Sequence, residues 1–161
     1  MGYNINSIKM IISDIDGVWT DGCVYIGNEN YEMKKFNVND GAGVALLRVS
    51  GIKLALISGR KSIATELRAA ELKIEDLYNG TLNKIIPYEE LKLKYNIEDS
   101  EIAYVGDDLI DIPVMDKVAV PIATQNAVDP CKKASVYVTD KKGGEGAFRE
   151  AVEWILSLIH I

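Results

Sequence analysis

Apolar positions along this chain follow two patterns. Short runs rich in β-branched residues predict buried strands at residues 8–13, 52–57 and 102–105, and weaker candidates at 118–122 and 136–138. Helical spacing of apolar residues predicts helices at residues 42–49, 62–71, 87–95 and 145–159, with Ser62 as a helix cap. Because strands and helices alternate, we expect an α/β fold. It is predicted to be a three-layer, Rossmann-like domain with a mostly parallel sheet.

One segment interrupts this alternation. Residues 23–26 and 31–36 have strand character, and the turn-forming sequence Gly-Asn-Glu-Asn separates them. The pattern predicts a β-hairpin flap over residues 22–36, directly after the first strand. Because an isolated hairpin is only marginally stable in water, we expect it to rest on another part of the molecule. No linker interrupts the rest of the sequence, so residues 1–161 are predicted to form one domain with this flap.

Composition narrows the range of partners and compartments. The chain has 161 residues and a formal net charge of −6, which argues against a nucleic-acid partner because such a partner requires a basic face. A phosphate substrate remains compatible, since bound Mg²⁺ can reverse the charge locally. No apolar run approaches the length of a membrane span. The two cysteines form no disulfide framework and no secretion signal opens the sequence, so we expect a cytoplasmic protein without a membrane partner.

Residue types suited to phosphate chemistry follow the predicted strands. In parallel α/β sheets, the carboxyl ends of the strands meet at one edge and form the ligand crevice. We therefore expect the side chains after three strands, together with those of the loop before the third helix, to meet in one crevice. They are Asp14 and Asp16 after the first strand, Ser58, Gly59 and Arg60 after the second, Asp107 and Asp108 after the third, and Gly80 and Lys84 in that loop.

Phosphoryl transfer fits these side chains. The carboxylates of Asp14 and Asp107 are oxygen ligands of the kind that bind Mg²⁺ beside a phosphate. With one oxygen of Asp14 neutralised, the other could attack phosphorus and form an aspartyl-phosphate. Asp16 is placed to act as general acid for the leaving group and then as general base for water. Ser58 and Lys84 could donate to the phosphoryl oxygens.

The same residues carry a resemblance to a known family. Their order and spacing resemble the four motifs of the haloacid dehalogenase superfamily, and within it the capless branch of 3-deoxy-D-manno-octulosonate 8-phosphate phosphatases. A hairpin after the first strand and a late glycine-rich stretch over residues 143–150 also resemble that branch. The four motifs are Asp14-x-Asp16-Gly-x-x-Thr20-Asp21-Gly22, Ser58-Gly59-Arg60, Gly80-x-x-x-Lys84 and Gly106-Asp107-Asp108.

The resemblance implies a role for each carboxylate. Asp14 would be the nucleophile and Asp16 the general acid/base. Mg²⁺ would be held by the side chains of Asp14 and Asp107 and by the backbone carbonyl of Asp16. Asp108 would support the waters of the metal from nearby. This set predicts a magnesium-dependent phosphatase that acts through an aspartyl-phosphate.

The resemblance also implies a substrate and an assembly. Ser58, Gly59 and Lys84 would bind the phosphoryl group, and Arg60 would contact a sugar acid phosphate, with 3-deoxy-D-manno-octulosonate 8-phosphate as first choice. Relatives that act on nine-carbon sugar acids tend to carry an acidic residue at the position of Arg60. A homotetramer is implied, in which the hairpins of neighbouring subunits close each active site. Because the sequence ends at Ile161, no long C-terminal tail is expected to reach another subunit.

Alternatives remain at the level of function. The substrate could instead be a nonulosonate (KDN or N-acylneuraminate) 9-phosphate. A non-catalytic oligomerisation module with this fold is a second alternative, but it predicts losses among the catalytic residues and none is lost. A phosphoacceptor receiver domain also carries clustered aspartates on a parallel sheet. Such a domain has no use for an acid/base at Asp16, and the hairpin does not fit it.

Some residues have an equally simple structural interpretation. Asp21 and Asp40 are predicted to be turn or cap residues, since aspartate favours such positions, and Asp111 could be either a cap or part of the site. Trp19 stands where many relatives have a smaller aliphatic side chain, so it either alters the wall of the sugar pocket or only the packing. The stretch 143–150 is either a flexible loop before the last helix or a loop on the substrate side.

Overall fold

The computed structural model describes residues 7–159, and within them six strands form one parallel sheet in the order β5-β4-β1-β6-β7-β8. A separate antiparallel pair, β2 and β3, forms the hairpin. The predicted α/β fold with a parallel sheet and a hairpin after the first strand is confirmed. The strands are β1 (Met10–Ser13), β2 (Tyr25–Ile26), β3 (Glu32–Met33), β4 (Lys53–Ser58), β5 (Asp76–Asn79), β6 (Ile102–Gly106), β7 (Val120–Ala123) and β8 (Tyr137–Val138).

Helices cover both faces of this sheet. Alternate residues of β1 point to opposite faces, so Ile11 packs with α1, α2 and α6 whereas Ile12 packs with α3, α4 and α5. Every residue of β1 is buried, as expected for a central parallel strand. Within residues 7–159, no helix combines the length and the apolar content that crossing a bilayer requires. The helices are α1 (Val38–Ser50), α2 (Ile63–Glu71), α3 (Ile85–Tyr95), α4 (Ile112–Met115), α5 (Asp129–Lys133) and α6 (Ala147–Ile159).

Polar groups account for several departures from the predicted elements, and the short helices α4 and α5 were also not predicted. The edge strand β5 was not predicted, because polar residues at both of its ends leave only two apolar positions. Helix α1 begins earlier than predicted because the side chain of Asn37 accepts a hydrogen bond from the backbone N–H of Asn39 and caps it. As predicted, Ser62 occupies the N-cap position of α2, but its side chain does not cap the helix. Its hydroxyl makes no cap hydrogen bond and instead donates to Glu32 Oε1 at 2.7 Å.

The hairpin is shorter than the sequence pattern predicts. Each of its strands has two residues, and the turn between them places Glu29 and Asn30 at positive φ values of 59° and 62°. Apolar side chains on it are exposed, including Ile26 at 77%. Two short strands with such exposure have little stability of their own. The contacts that hold the hairpin therefore come from polar side chains that face the sheet.

Trp19 is a packing residue beneath the first loop. Its ring is buried and stacks on Phe148 of α6 with ring centroids 4.2 Å apart. Its indole N–H donates to Ser13 Oγ at 3.0 Å, which satisfies the buried polar group. Of the two interpretations of Trp19, the structure supports the packing role.

Candidate active site

A cleft of about 350 Å³ lies at the carboxyl ends of β1, β4 and β6. This is the edge at which a parallel α/β sheet binds ligands. Most of the predicted site residues line it, whereas Ser58 and Lys84 lie buried behind the lining. The lining residues are Asp14, Asp16, Gly22, Val24, Gly59, Arg60, Leu82, Asp107, Asp108 and Ile110.

Asp14 is anchored at the end of β1. Its backbone N–H donates to the carbonyl of Val105 at 2.9 Å, which continues the pairing of β1 with β6. Its Oδ1 lies 2.7 Å from Nζ of Lys84, a fully buried lysine at the start of α3. The same ammonium contacts Asp111 Oδ1, also at 2.7 Å. Although burial alone would lower the pKa of Lys84, the carboxylates of Asp14 and Asp111 raise it, so this ammonium stays charged.

Asp111 organises the loop after β6. Its Oδ1 accepts hydrogen bonds from Lys84 and from the hydroxyl of Tyr104 at 2.6 Å. Its Oδ2 accepts from the backbone N–H groups of Asp107 at 2.9 Å and Asp108 at 3.1 Å. Since both oxygens are already bonded, Asp111 shapes the site from behind the lining residues. The sequence left its role open, although its position four residues after Asp107 is the local signal for such a loop.

Negative charge is concentrated behind the cleft. Ligand oxygens of Asp14, Asp107 and Asp111 all lie within 4.8 Å of one another. Burial, followed by the neighbouring carboxylates, raises the pKa of both Asp14 and Asp107. Among the described residues, Asp107 Oδ1 is buried without a hydrogen-bond partner. An acceptor-only atom in this setting is well suited to a hard divalent cation, which would relieve the repulsion between the carboxylates.

The glycines around the first loop permit backbone contacts that side chains would block. Gly17 has φ +86°, and a Cβ there would lie 1.8 Å from Asp107 Oδ2. Its carbonyl accepts a hydrogen bond from Asn126 Nδ2 at 2.9 Å, and Asn126 Oδ1 accepts one from the N–H of Gly143 at 2.6 Å. A Cβ on Gly143 would lie 2.0 Å from the Gly17 carbonyl oxygen. The stretch 143–150 therefore supports the first loop through packed backbone, and it supplies none of the lining residues named above.

Arg60 is held by the hairpin. Its guanidinium lies 2.5 Å from Glu32 Oε2, and its side chain is 46% exposed. The bonds from Arg60 and then Ser62 lower the pKa of Glu32 to about 2, so this carboxylate is charged at neutral pH. Behind Arg60, the hydroxyl of Ser58 donates to the Arg60 carbonyl at 3.0 Å. The loop after β4 is thus fixed from both sides.

Asp16 also contacts the hairpin. Its Oδ1 lies 2.7 Å from Nζ of Lys34, which directly follows β3. Neither Lys34 nor Glu32 was among the predicted site residues. A signal for them was present, because they alternate with Met33 in a strand and so belong on one face of the hairpin.

Asp21 and Asp40 are structural residues, as predicted. Asp21 accepts hydrogen bonds from the backbone N–H of Cys23 at 2.9 Å and from the hydroxyl of Tyr25 at 3.1 Å, which fixes the entry into the hairpin. Asp40 is fully buried in α1, and its Oδ1 accepts from the backbone N–H of Arg149 in α6 at 2.9 Å. Neither residue lines the cleft.

Comparison with known proteins identifies the family. The family described as haloacid dehalogenase-like hydrolase matches residues 60–150, which is more than half of the chain. The chain belongs to this family. A haloacid dehalogenase-like relative, the 3-deoxy-D-manno-octulosonate 8-phosphate phosphatase KdsC of Salmonella typhi, is 44% identical over 150 residues, 93% of this chain and 80% of that protein.

Solved structures of haloacid dehalogenase-like phosphatases share the fold closely. The 3-deoxy-D-manno-octulosonate 8-phosphate phosphatase of Yersinia pestis has a TM-score of 0.94 and 41% identity, covering 97% of this chain and 84% of its own. The corresponding enzyme of Moraxella catarrhalis, solved with a magnesium ion, a phosphate ion and KDO, has a TM-score of 0.92 and 38% identity. That match covers 96% of this chain and 90% of the Moraxella chain.

Proposed function

We propose that this phosphatase hydrolyses 3-deoxy-D-manno-octulosonate 8-phosphate through an aspartyl-phosphate intermediate. The observation that carries the proposal is the contact between Asp14 and the buried ammonium of Lys84 at the floor of a carboxylate-lined cleft. A relative that covers most of the chain bears this substrate in its name. The arrangement combines a nucleophile, a fixed positive charge and room for a sugar acid.

In the first half of the reaction, Asp14 acts as nucleophile. An oxygen of its carboxylate forms a bond to phosphorus while the bond between phosphorus and the sugar oxygen breaks. Asp16, on the same loop and at the mouth of the cleft, gives its proton to the departing alkoxide. The products of this half are the free sugar acid and the phosphorylated Asp14.

In the second half, water releases the phosphate. Asp16, now a carboxylate, takes a proton from the attacking water, whose oxygen bonds to phosphorus as the bond to Asp14 breaks. Inorganic phosphate leaves and both carboxylates return to their starting states. The same residue thus serves as acid and then as base, which requires that its carboxylate stays within hydrogen-bond reach of both oxygens.

Magnesium fits the chemistry of the donor set. The side chains of Asp14 and Asp107 and the backbone carbonyl of Asp16 would hold it, with Asp108 supporting its waters. The buried oxygen of Asp107 that lacks a partner among the described residues supports this assignment. When bound, the ion supplies positive charge next to the transferred phosphoryl group. Asp111 stays outside this set because its oxygens already accept hydrogen bonds.

Three residues are proposed to bind the phosphoryl oxygens. Lys84 supplies a fixed ammonium beside Asp14. Gly59 lines the cleft, and its missing side chain leaves its backbone N–H open to an oxygen. Ser58 donates to the Arg60 carbonyl here, and a rotation about χ1 would turn its hydroxyl toward the phosphate.

Arg60 is proposed to recognise the carboxylate of the sugar acid. Glu32 engages one nitrogen of its guanidinium, which leaves further N–H donors for a second carboxylate. The main alternative substrate is a nonulosonate 9-phosphate, the nine-carbon acid of the same chemical class. No feature of the cleft favours that alternative over the eight-carbon acid.

The deciding experiment measures phosphate release across a small panel with Mg²⁺ and with EDTA. The panel contains 3-deoxy-D-manno-octulosonate 8-phosphate, two nonulosonate 9-phosphates and several hexose phosphates. We expect the highest kcat/KM for the eight-carbon acid. A preference for a nine-carbon acid would keep the mechanism but overturn the role of Arg60. Folded protein without metal-dependent release from any ester would favour a non-catalytic module.

We also propose a homotetramer in which the hairpins of neighbouring subunits close the cleft. The support is the resemblance together with the exposed apolar side chains of the hairpin, Tyr25, Ile26, Tyr31 and Met33, at 44%, 77%, 60% and 50%. Such a patch is typical of a surface that a partner covers.

Sedimentation of the wild type and of a variant lacking residues 27–30 tests the assembly. We expect the wild type to sediment as a tetramer. The variant should dissociate at protein concentrations at which the wild type is still tetrameric, and its KM should be raised. A variant that stays tetrameric with normal kinetics would contradict closure by neighbours.

Composition supports a proposal for the cellular compartment of the protein and for the class of molecule that it binds. We propose a cytoplasmic enzyme, because Cys23 and Cys131 are free thiols that suit a reducing compartment. The net charge of −6 supports a small-molecule partner rather than a nucleic acid. Fractionation of the native cells with an antibody to the protein would check the location.

A further inference from the structure

The inner face of the hairpin carries two charged side chains. Glu32 and Lys34 alternate along the strand direction, and both point toward the cleft, where they contact Arg60 and Asp16. The intervening Met33 is half exposed on the outer face. The hairpin therefore reaches two lining residues of the cleft through side chains of opposite charge.

Lys34 is held in place by burial and by two polar contacts. Its side chain is 0% exposed, and its Nζ lies 2.7 Å from Asp16 Oδ1. The same ammonium donates to the hydroxyl of Thr65 at 3.2 Å, on the buried face of α2. Burying an ammonium without a partner costs folding free energy. The ion pair with Asp16 offsets this cost, so the folded protein strongly favours the contact.

Asp16 in turn has little else to fix its direction. It precedes Gly17, whose φ of +86° turns the backbone sharply, and its side chain is 27% exposed at the mouth of the cleft. A carboxylate in such a position has several accessible rotamers. The contact with Lys34 selects one of them. This matters because a general acid must stay within hydrogen-bond reach of the oxygen that it protonates.

We propose that Lys34 is a positioning residue that contacts one oxygen of the Asp16 carboxyl group and so aims its other, protonated oxygen at the leaving group, with Thr65 fixing Lys34. This inference rests on the proposed role of Asp16. It assigns the hairpin a function within its own subunit, because its short strands are tied to α2 and to the first loop by this buried ammonium. Loss of the ammonium would free Asp16 while leaving Asp14 and Lys84 in place.

The test compares two esters in Lys34→Met. An alkyl ester, 3-deoxy-D-manno-octulosonate 8-phosphate, needs a proton on its leaving oxygen, whereas the phenolate of p-nitrophenyl phosphate leaves without one. The ratio kcat/KM reports binding and the steps up to aspartyl-phosphate formation, so it includes the acid step and excludes the later step in which Asp16 acts as base. We expect kcat/KM to fall about 100-fold for the alkyl ester, within the range of general acid catalysis, and by less than about 5-fold for the aryl ester.

Two further variants make the outcome decisive. Asp16→Asn should show the same selective loss, and Lys35→Met, an exposed neighbouring lysine, should behave like the wild type with both esters. Equal losses on both esters in Lys34→Met would reduce Lys34 to a structural role and overturn the proposal, with the mechanism intact. Absence of the selective loss in Asp16→Asn would overturn the acid role itself, and the positioning role with it.

Thr65→Val covers the case in which Lys34→Met does not fold. It removes the hydroxyl that accepts from Lys34 and keeps the size of the side chain. We expect a loss of about 3- to 10-fold in kcat/KM on the alkyl ester and almost none on the aryl ester. Wild-type kinetics on both esters in a folded variant, or a loss shared by both esters, would overturn the proposal.

Discussion

Two clusters of buried charge sit at opposite ends of the sheet, and they are built differently. At the carboxyl end, the carboxylates of Asp14, Asp107 and Asp111 share the ammonium of Lys84. At the other end, Asp76 at the start of β5 accepts hydrogen bonds from Lys94 Nζ at 2.6 Å and from the hydroxyl of Tyr95. The first cluster carries excess negative charge, whereas the second pairs one carboxylate with one ammonium.

The difference in charge balance indicates a functional role for the cluster at the cleft and a structural role for the cluster around Asp76. Burial, followed by repulsion from neighbouring carboxylates, raises the pKa of Asp14 and Asp107, so ionising both of them costs folding free energy. In contrast, the contact with Asp76 raises the pKa of Lys94, so the ammonium form is favoured there. Carboxylates with strongly raised pKa values are concentrated at functional sites, where a ligand or a reaction uses their charge. The following predictions test this contrast from the largest expected effect to the smallest.

Asp14→Asn should give the largest change. We expect kcat to fall by at least about 1,000-fold, because no covalent intermediate can form. Thermal stability should not fall, since the substitution removes a destabilising charge and Lys84 keeps its contact with Asp111. Phosphate release and differential scanning calorimetry measure the two effects. Substantial residual turnover in pure protein would contradict the nucleophilic role.

The second-largest effect is expected from removal of the metal, which should affect the carboxylate cluster of the cleft and not the cluster around Asp76. EDTA is expected to abolish turnover, and Mg²⁺ at about 100 times its Kd should stabilise the wild type by about 2.7 kcal/mol through linkage. Asp107→Asn should lose most of this stabilisation. A variant at the other cluster, Asp76→Ala, should keep it. Equal stabilisation of all three proteins in chemical unfolding would place the metal elsewhere.

Asp76→Ala tests the balanced cluster. We expect a loss of about 1–2 kcal/mol in the free energy of unfolding, because Tyr95 loses its acceptor and the edge strand loses a tie to α3. Values of kcat and KM should stay unchanged. Lys94→Met should cost less, because Lys94 is half exposed. A kinetic effect of either variant would show that the two ends are coupled.

Asp40 supplies a more specific test, because its carboxyl is buried away from the cleft. Burial raises its pKa to about 6, and its Oδ2 has no partner among the described residues. The folded state therefore holds this proton more tightly than the unfolded chain, and the carboxyl costs stability as pH rises from about 4 to above 6. Asp40→Asn should be more stable than the wild type by about 1–2 kcal/mol at pH 8, with the difference vanishing near pH 4.

Asp21→Asn provides a control in which the effect of pH on stability has the opposite sign. The backbone bond from Cys23, supported by Tyr25, lowers the pKa of Asp21, so its charge contributes stability above the ordinary carboxyl pKa. This contribution is lost as pH falls through the lowered pKa. The variant should therefore be slightly less stable at neutral pH and equal to the wild type in acid. Parallel pH profiles of the two variants would contradict the contrast.

Local pattern was enough to predict which charged residues line the candidate site. A buried strand followed by Asp14 and Asp16, and another followed by Asp107, predict where the carboxylates lie, because parallel strands bring their carboxyl ends to one edge. The same logic predicted the loop that carries Arg60. Strand β5 could not be predicted in this way, because its two apolar residues lie between polar ends. Its strand conformation depends on pairing with β4, which is a tertiary contact.

The sequence by itself determined the alternation of the longer strands and helices, the hairpin and the candidate catalytic carboxylates, because each depends on residues near one another in the chain. It did not predict β5, α4 or α5. Only the tertiary structure decided what Lys34 and Asp111 contact. Lys34 lies 18 positions from Asp16, and Lys84 lies 27 positions from Asp111. Such contacts depend on how a flap and a helix fold back over the sheet edge, and hydrophobic periodicity carries no information about the polar partners that meet there.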